Sequence, residues 1–515
     1  TKTDAAATEV STEGKQLTVQ IGPDPETIDP ALNSAVDGGN MLLHSFECLL
    51  TIDQDGKIAP GQAETWEVSE DGLTWTFHLR DGLKWSDGSD LTADDFVYSW
   101  KRVCDPAVAA PYAETVLGMV KGFDEAQAGD LDALAVSAPD AKTLVVELSN
   151  PCPYFESLAA FATLSPVQQA TVEATAAETY ISNGPFYITE WVPGSHITMS
   201  KNPNYWNADA IKLGSIKFVL MEDSNAAYTA YQSGDVLFIK DVPTQEIPSL
   251  QGNPEFHVEP ILGTYYLSMN LEDPAFADVN VRKALSLAID RDYVANTLMQ
   301  GTYSPAYNLV GEGWVDTDGS SFNANANGGQ SYISDDFDAN LEEAKQLLAD
   351  AGYPNGEGLP TITYTTNDAG YHKTVAEYLQ QAWGELGINV EVNIVEWSSF
   401  TPMRRNGEYM VARNGWVGDY SDPSNMLDLF CTGNGNNDGK FSNADFDAAM
   451  EKAASTMDTA ERSAALHQAE DVLMEQVGCI PVAYYNDFWL QSEKITGIWH
   501  SAYGYWYFMY GDIAE

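Results

Sequence analysis

"TITYTT" at 361–366, "KTVAEYLQQAWGELG" at 373–387 and "NVEVNIVEW" at 389–397 together decide the fold class. The first run is rich in β-branched and aromatic residues and reads as a strand. The second places Val375, Leu379, Ala382 and Leu386 on one helical face, and the third aligns Val390, Val392 and Ile394 at the two-residue period of a strand. Strand, helix and strand in that order form a βαβ unit, the building block of α/β proteins. A further strand candidate, "EYMVAR" (408–413), leads into "GWVGDYSDP" at 415–423. Trp397 and the "GWVGD" segment therefore both fall just after strands. Ligands of open α/β sheets bind outside the carboxyl ends of strands, which gives this segment a positional reason to touch one.

Working outward, "LTWTFHL" at 73–79 alternates with Leu73, Trp75, Phe77 and Leu79 on one face, as in a half-buried strand. Thr92 and Asp95 have capping-box spacing before an apolar run, which predicts a helix from about Ala93. "VRKALSLAID" (281–290) and "LEEAKQLLADAGY" (341–353) carry helical spacing, the second closing at Gly352. "GSSFNANANGGQ" (319–330) reads as a surface loop, and the small polar run "TKTDAAATEVSTEGKQ" (1–16) as a flexible tether.

A chain of 515 residues exceeds what one core supports, so two or three domains are expected. Twenty-five basic against 76 acidic side chains leave a formal charge of -51, which repels nucleic-acid phosphates and anionic bilayers. No stretch approaches the roughly 18 to 20 apolar residues of a membrane span. The chain begins at Thr1 without a start methionine or signal-peptide core, so the expectation is that its beginning has been removed. Cys48, Cys104, Cys152, Cys431 and Cys479 are dispersed without zinc-type spacing. If the protein is exported, Cys104 and Cys152 are a candidate disulfide pair, although connectivity does not follow from sequence.

Hydrolase, metalloprotease and dinucleotide motifs are absent, and no catalytic residue, metal or cofactor is expected. "GNGNNDGKF" (433–441) has the wrong spacing for a P-loop and reads as a polar turn; "DTDG" (316–319) is too short for a calcium loop. Among scattered histidines, His372 stands out because it lies between the "TITYTT" strand and the following helix. Asp422–Pro423 fits a turn. Asp419 is flanked by glycines and aromatics, which allow close backbone approach and provide flat walls, and its carboxylate suits an ammonium group.

Along nearly the whole chain run "TIDPA" (27–31), "FHLRDGLKWSDGSDLTADDFVYSWKRVCDP" (77–106), "SNGPFYITEWVPG" (182–194), "KNPNYW" (201–206), "VRKALSLAIDRD" (281–292), "AKQLLADAGYPNG" (344–356) and "VARNGWVGDYSDP" (411–423). In this order they resemble the oligopeptide- and dipeptide-binding proteins, the extracytoplasmic solute-binding components of peptide ABC transporters. The resemblance implies an α/β, two-lobed periplasmic-binding-protein-like fold with an extra inserted domain and two hinge crossings, near "YYLSMN" (265–270) and "PVAYYNDF" (481–488). It puts lobe 1 at 17–47, 181–268 and 489–515, the inserted domain at 48–180 and lobe 2 at 269–488.

The function implied is capture of short peptides by hinge closure and their delivery to a membrane-embedded ABC permease. It belongs to a non-enzymatic, monomeric receptor, periplasmic or held at the cell surface as a lipoprotein whose lipid-bearing cysteine lies upstream of Thr1. An oligosaccharide or a metal chelate is the alternative solute on the same fold. By the same resemblance Asp419 grips the ligand's α-ammonium, Gly415 and Val417 offer backbone groups, and Trp416 shapes the wall. Arg413, Arg404 and His372 match the positions that neutralise the carboxyl end; Trp397 and Tyr485 line the cavity, and Tyr112 contributes from the inserted domain. Val36 occupies a backbone position near the amino end, where Ser34 stands in place of an acid, so that pocket can differ in charge.

Overall fold

In the computed structural model, which describes residues 14–25, 27–174, 176, 179–329 and 332–514, the strand Thr74–Leu79 buries Trp75, Phe77 and Leu79, as the alternation requires. It belongs to an antiparallel sheet ordered Ala63–Val68, Thr74–Leu79, Thr143–Glu147, Val136–Asp140. The helix Ala93–Cys104 packs on this sheet and buries Phe96, Trp100 and Val103. Its first turn is held as predicted, the Thr92 N–H donating to Asp95 Oδ2 at 2.8 Å. The candidate Cys104–Cys152 disulfide does not form, and none of the five cysteines is in a disulfide. Cys104 is instead a small apolar core residue, and burial pushes its thiol up to about 12.

This sheet lies in the first of two compact units, 1–257 with 488–515. A second sheet there runs parallel from Phe238–Ile239 to Gln16–Gln20 to Ser215–Val219, then antiparallel through His196–Lys201 to Phe186–Val192. Gln16 thus opens a strand rather than ending the tether, whose residues 1–13 lie outside the described residues. The "KNPNYW" block has a structural purpose: the Tyr205 hydroxyl and the Trp206 indole donate to buried Glu47, which also accepts from Gln62 Nε2 at 2.6 Å.

The second unit is 258–487, and the chain passes between the units on the strands Phe256–Met269 and Ile480–Gln491. Residues 258–268, expected in the first lobe, cluster with this unit because their strand pairs with Val411–Val417. Ile362–Thr366 pairs parallel with Val390–Ile394 across the helix His372–Gly384, so the βαβ unit forms as predicted. Val375, Leu379 and Ala382 are buried on that helix, with Leu386 buried just past its end. The third strand is less regular than its sequence: Val390 is buried but Ile394 is exposed, since the strand is the edge of the sheet. The helices Val279–Leu287 and Phe337–Asp350 form where their spacing put them, and Gly352 takes the left-handed conformation (φ 91°) after the second.

"EYMVAR" does not end at Arg413; the strand continues to Val417, so Gly415, Trp416 and Val417 lie within it, held by a seven-residue ladder to the strand Phe256–Met269. Within "GSSFNANANGGQ", the described part is a 3-10 helix, Asn323–Gly329, that buries Ala326, and the preceding Phe322 is fully buried. The Phe322 ring stacks on the His467 imidazole at 3.9 Å, which draws this loop onto the helix Thr459–Glu475. No helix among the described residues is long and apolar enough to cross a membrane.

Gly387 joins the helix to the third strand at φ 80°, and a Cβ there would lie 1.8 Å from the Asn355 carbonyl oxygen. Gly387→Ala is expected to cost more than ~1 kcal/mol of unfolding free energy. Gly384→Ala, whose Cβ meets nothing within 4 Å, should be neutral or stabilising by up to ~1 kcal/mol; urea titration of both variants checks the contrast.

Buried Glu470 accepts from the Val310 N–H at 2.8 Å, yet burial outweighs that bond and pushes its pKa from 4.5 to about 8. A carboxyl raised in the folded state contributes stability that is complete below pH 4.5 and is lost as pH rises through about 8. Wild-type unfolding free energy should therefore fall over that window relative to Glu470→Gln, measured by denaturation at a series of pH values.

Candidate functional site

The second unit presents one strand edge with backbone groups turned outward. Val411–Val417 runs antiparallel to Gly263–Met269, with Gly263 opposite Val417 and Met269 opposite Val411. Just beyond the ends of this ladder, the Gly418 N–H donates to the Leu262 carbonyl (2.6 Å) and the Asn270 N–H to the Met410 carbonyl (2.9 Å). Hydrogen-bonded pairs alternate along an antiparallel ladder. Stepping inward by two from either end makes Trp416, Asn414 and Ala412 the bonded residues. Arg413, Gly415 and Val417 therefore turn their N–H and C=O groups to the opposite edge. On that edge Ile362–Thr366 pairs only at Val411 and Ala412, and no strand pairs with the edge from Arg413 onward among the described residues.

The glycines here serve the protein's own rings. A Cβ on Gly415 would lie 2.2 Å from the Tyr485 hydroxyl, and one on Gly418 would lie 2.4 Å from the Trp314 ring. Sequence reading assigned them to ligand approach; the structure shows them admitting tyrosine and tryptophan against the strand.

Asp419 is half-buried immediately after the strand. Its N–H donates to Asn425 Oδ1 at 3.1 Å, and Asn425 Nδ2 reaches its Oδ2 at 3.4 Å. The same Asn425 oxygen accepts from Trp416 Nε1 at 3.0 Å. Asp422 does form the expected turn, its Oδ1 accepting from the Ser424 N–H. Its larger task was not foreseen: both carboxylate oxygens take a bidentate pair of bonds from Arg462 at 2.8 and 2.9 Å, with both residues buried. This clamps the loop carrying Asp419 to the helix Thr459–Glu475.

Arg413 is half-buried among aromatic rings. Its Nη2 donates to the Tyr485 hydroxyl at 3.2 Å, and its guanidinium stands 5.5 Å from the centre of the Tyr265 ring. His372, the first residue of its helix, packs its ring 5.5 Å from the same tyrosine. Burial, with Arg413 adding to it, holds the His372 pKa well below its ordinary range, so the imidazole is neutral at physiological pH. Tyr303 completes the wall, edge-on to Tyr485 at 5.4 Å.

Arg404 occupies a different position from the other two basic candidates. It is buried, donates through Nε to Asp438 Oδ2 at 2.6 Å, and binds the Arg413 carbonyl through Nη1 at 3.0 Å. Asn414 Nδ2 shares the Asp438 oxygen at 3.1 Å. "GNGNNDGKF" forms the expected polar turn, and it also carries the buried counter-ion of Arg404. Trp397 opens the helix Trp397–Arg405, and its side chain lies outside the described residues. In the first unit, Val36 is the first residue of the helix Val36–Ser45, with exposed Ser34 before it, and Tyr112 packs edge-on against Phe161 at 5.1 Å.

Sequence reading did not single out Asn425, Tyr265, Tyr303 or Asp438. Asn425 lies in "SDPSN", where turn chemistry already accounted for the composition. Asp438 looked like one polar residue among asparagines and glycines. Only folding brings it to Arg404, 34 positions away.

Breaking the Asp422–Arg462 pair from one side leaves a buried arginine charge uncompensated. Asp422→Ala is expected to cost about 3–5 kcal/mol of stability. The double variant Asp422→Leu/Arg462→Met should recover much of that loss, as denaturant titration of the three proteins would measure.

A family model described as bacterial extracellular solute-binding proteins, family 5 Middle, matches residues 57–438. The oligopeptide-binding protein OppA of Bacillus subtilis (strain 168) is 35% identical over 500 residues, covering 94% of this chain and 90% of that protein. The probable deoxycholate-binding periplasmic protein YgiS of Escherichia coli (strain K12) is 33% identical over 473 residues, covering 90% and 86%. Among solved structures, Haemophilus influenzae OppA in complex with RPPGFSPFR aligns with a TM-score of 0.85 at 30% identity, over 98% of this chain and 99% of that one. Fold and sequence agree across almost the full length, and the architecture is the two-lobed α/β fold of periplasmic binding proteins. The chain belongs to the bacterial extracellular solute-binding proteins, family 5.

Proposed function

We propose that this chain is an extracytoplasmic receptor that captures short peptides and delivers them to a membrane-embedded ABC permease. The observation that carries the reading is the edge of Val411–Val417. It turns backbone groups of Gly415 and Val417 outward beyond the partner strand, the Arg413 carbonyl accepting from Arg404 and the Gly415 N–H donating to Asn414 Oδ1, with a carboxylate just past one end and the Arg413 guanidinium toward the other. An extended peptide can add to such an edge as a strand, its backbone supplying affinity regardless of side chain. Its ammonium then meets Asp419 and its carboxylate meets Arg413, with Trp416 and Tyr485 as walls. His372, being neutral, contributes a hydrogen bond rather than charge. Arg404 already has Asp438 as counter-ion, so its part is to hold the Arg413 backbone rather than to neutralise the ligand.

Trp397 is proposed as a further cavity residue, and Val36 and Tyr112 as contributions from the first unit, Tyr112 from an inserted domain at 48–180. The same reading makes the protein a monomer, with no enzymatic step, held at the cell surface by a lipid or free in the periplasm. A relative named for probable deoxycholate binding supports a second reading, a different solute on the same fold. A solute without an amine, such as an oligosaccharide or a metal chelate, would have little use for Asp419.

Native mass spectrometry of the purified protein separates the two: a ladder of bound peptide masses supports the first, a single non-peptide mass the second. In calorimetry with a binding peptide, Asp419→Ala should lose about 2–5 kcal/mol of affinity, the cost of removing one partner of a buried charged hydrogen bond. Unchanged affinity would remove the amine-anchor role.

A further inference from the structure

The Asn425 side chain directs both of its polar atoms at groups of the proposed ligand wall. The residue is only 5% exposed. Oδ1 accepts from two donors, the Trp416 indole at 3.0 Å and the Asp419 N–H at 3.1 Å, and Nδ2 faces Asp419 Oδ2 at 3.4 Å. A side-chain amide is suited to this: its oxygen accepts twice while its NH₂ group donates. Asn425 is itself held in place, its N–H donating to the Asp422 carbonyl at 3.0 Å in the turn that Arg462 clamps.

We infer that Asn425 is a positioning residue for amine recognition: it sets the Trp416 indole and the Asp419 carboxylate in one fixed relation, so that the ammonium of a peptide meets a pre-oriented acid beside a fixed aromatic wall. The inference rests on the amine-anchor reading of Asp419 and adds to it the residue that orients the anchor. Pre-orientation lowers the entropy lost on binding, which is where such a residue acts. Donation from Nδ2 also occupies one side of Asp419 Oδ2. The carboxylate is thereby held at one angle. Leucine at this position keeps the volume of asparagine approximately and removes all three bonds, leaving the indole and the Asp419 N–H without this acceptor.

The test is calorimetry on the full chain, wild type and Asn425→Leu, with oligoalanines of three to five residues carrying either a free or an acetylated amino end. The wild type should prefer the free amine. In Asn425→Leu, affinity for free-amine peptides should fall roughly tenfold to a hundredfold, while affinity for the acetylated peptides stays within about twofold, so the preference collapses. Retained binding of the acetylated peptides also reports that the variant is folded. If both affinities fall together, or the preference persists, the positioning role is overturned. Should Asn425→Leu not fold, Asn425→Ser is read by the same ratio, with the same two outcomes. A wild type that does not distinguish free from acetylated peptides would instead defeat the amine-anchor reading, and this inference with it.

Discussion

The register of Val411–Val417 against Gly263–Met269 is the constraint on which the second unit's site depends. A strand shifted by one residue turns every side chain to the other face and exchanges the backbone groups that point inward and outward. At the observed register, Arg413, Gly415 and Val417 direct their peptide groups to the edge that Ile362–Thr366 leaves after Ala412. The same register sets Tyr265 opposite Gly415, where the missing side chain admits the Tyr485 hydroxyl. That hydroxyl is also the acceptor for Arg413. One ladder therefore determines the open edge, the aromatic wall and the orientation of the cation.

Two buried ion pairs tie the flanks of this ladder to the rest of the unit. Asp438 holds Arg404 and Asn414 beneath the strand, and Asp422 holds Arg462 beneath the loop that follows it. Such pairs contribute little net stability once desolvation is counted, but each permits few geometries. Their use is notable in a chain with a formal charge of -51, where basic residues are scarce. Other arginines are also spent on architecture: Arg282 donates to the Gln476, Phe276 and Ala277 carbonyls, and Arg291 to those of Pro481, Ser286 and Ile289. Arg413 donates to the Tyr485 hydroxyl and stands beside the Tyr265 ring.

Much of the secondary structure was legible because it rests on local patterns. The helix from Ala93 starts where the Thr92 and Asp95 spacing put it, and the βαβ unit at 361–397 formed in the predicted order. The mistaken readings share one cause, composition taken as location. The Gly-, Asn- and Ser-rich 319–330 reads as a surface loop, yet its Phe322 is buried against His467, and Asp438 in the polar turn at 433–441 is buried with Arg404. The strand after "EYMVAR" was cut short because Gly and Trp interrupt its pattern, whereas pairing with a long neighbouring strand carries it on. The Cys104–Cys152 candidate does not form either, since position on a sequence says nothing of where two thiols come to rest.

From the residues alone came the α/β class, the order of the βαβ unit and the choice of Asp419 as a charged group of interest, whereas Arg413 came from the family resemblance. These follow from hydrophobic periodicity and from the chemistry of side chains near strand ends, both of which are local. Which peptide groups face outward, which arginine already has its counter-ion, and which asparagine reaches both Trp416 and Asp419 were decided only by the folded chain. Hydrogen-bond parity, burial and ion pairing depend on neighbours brought together across tens or hundreds of positions, and no local pattern carries that information.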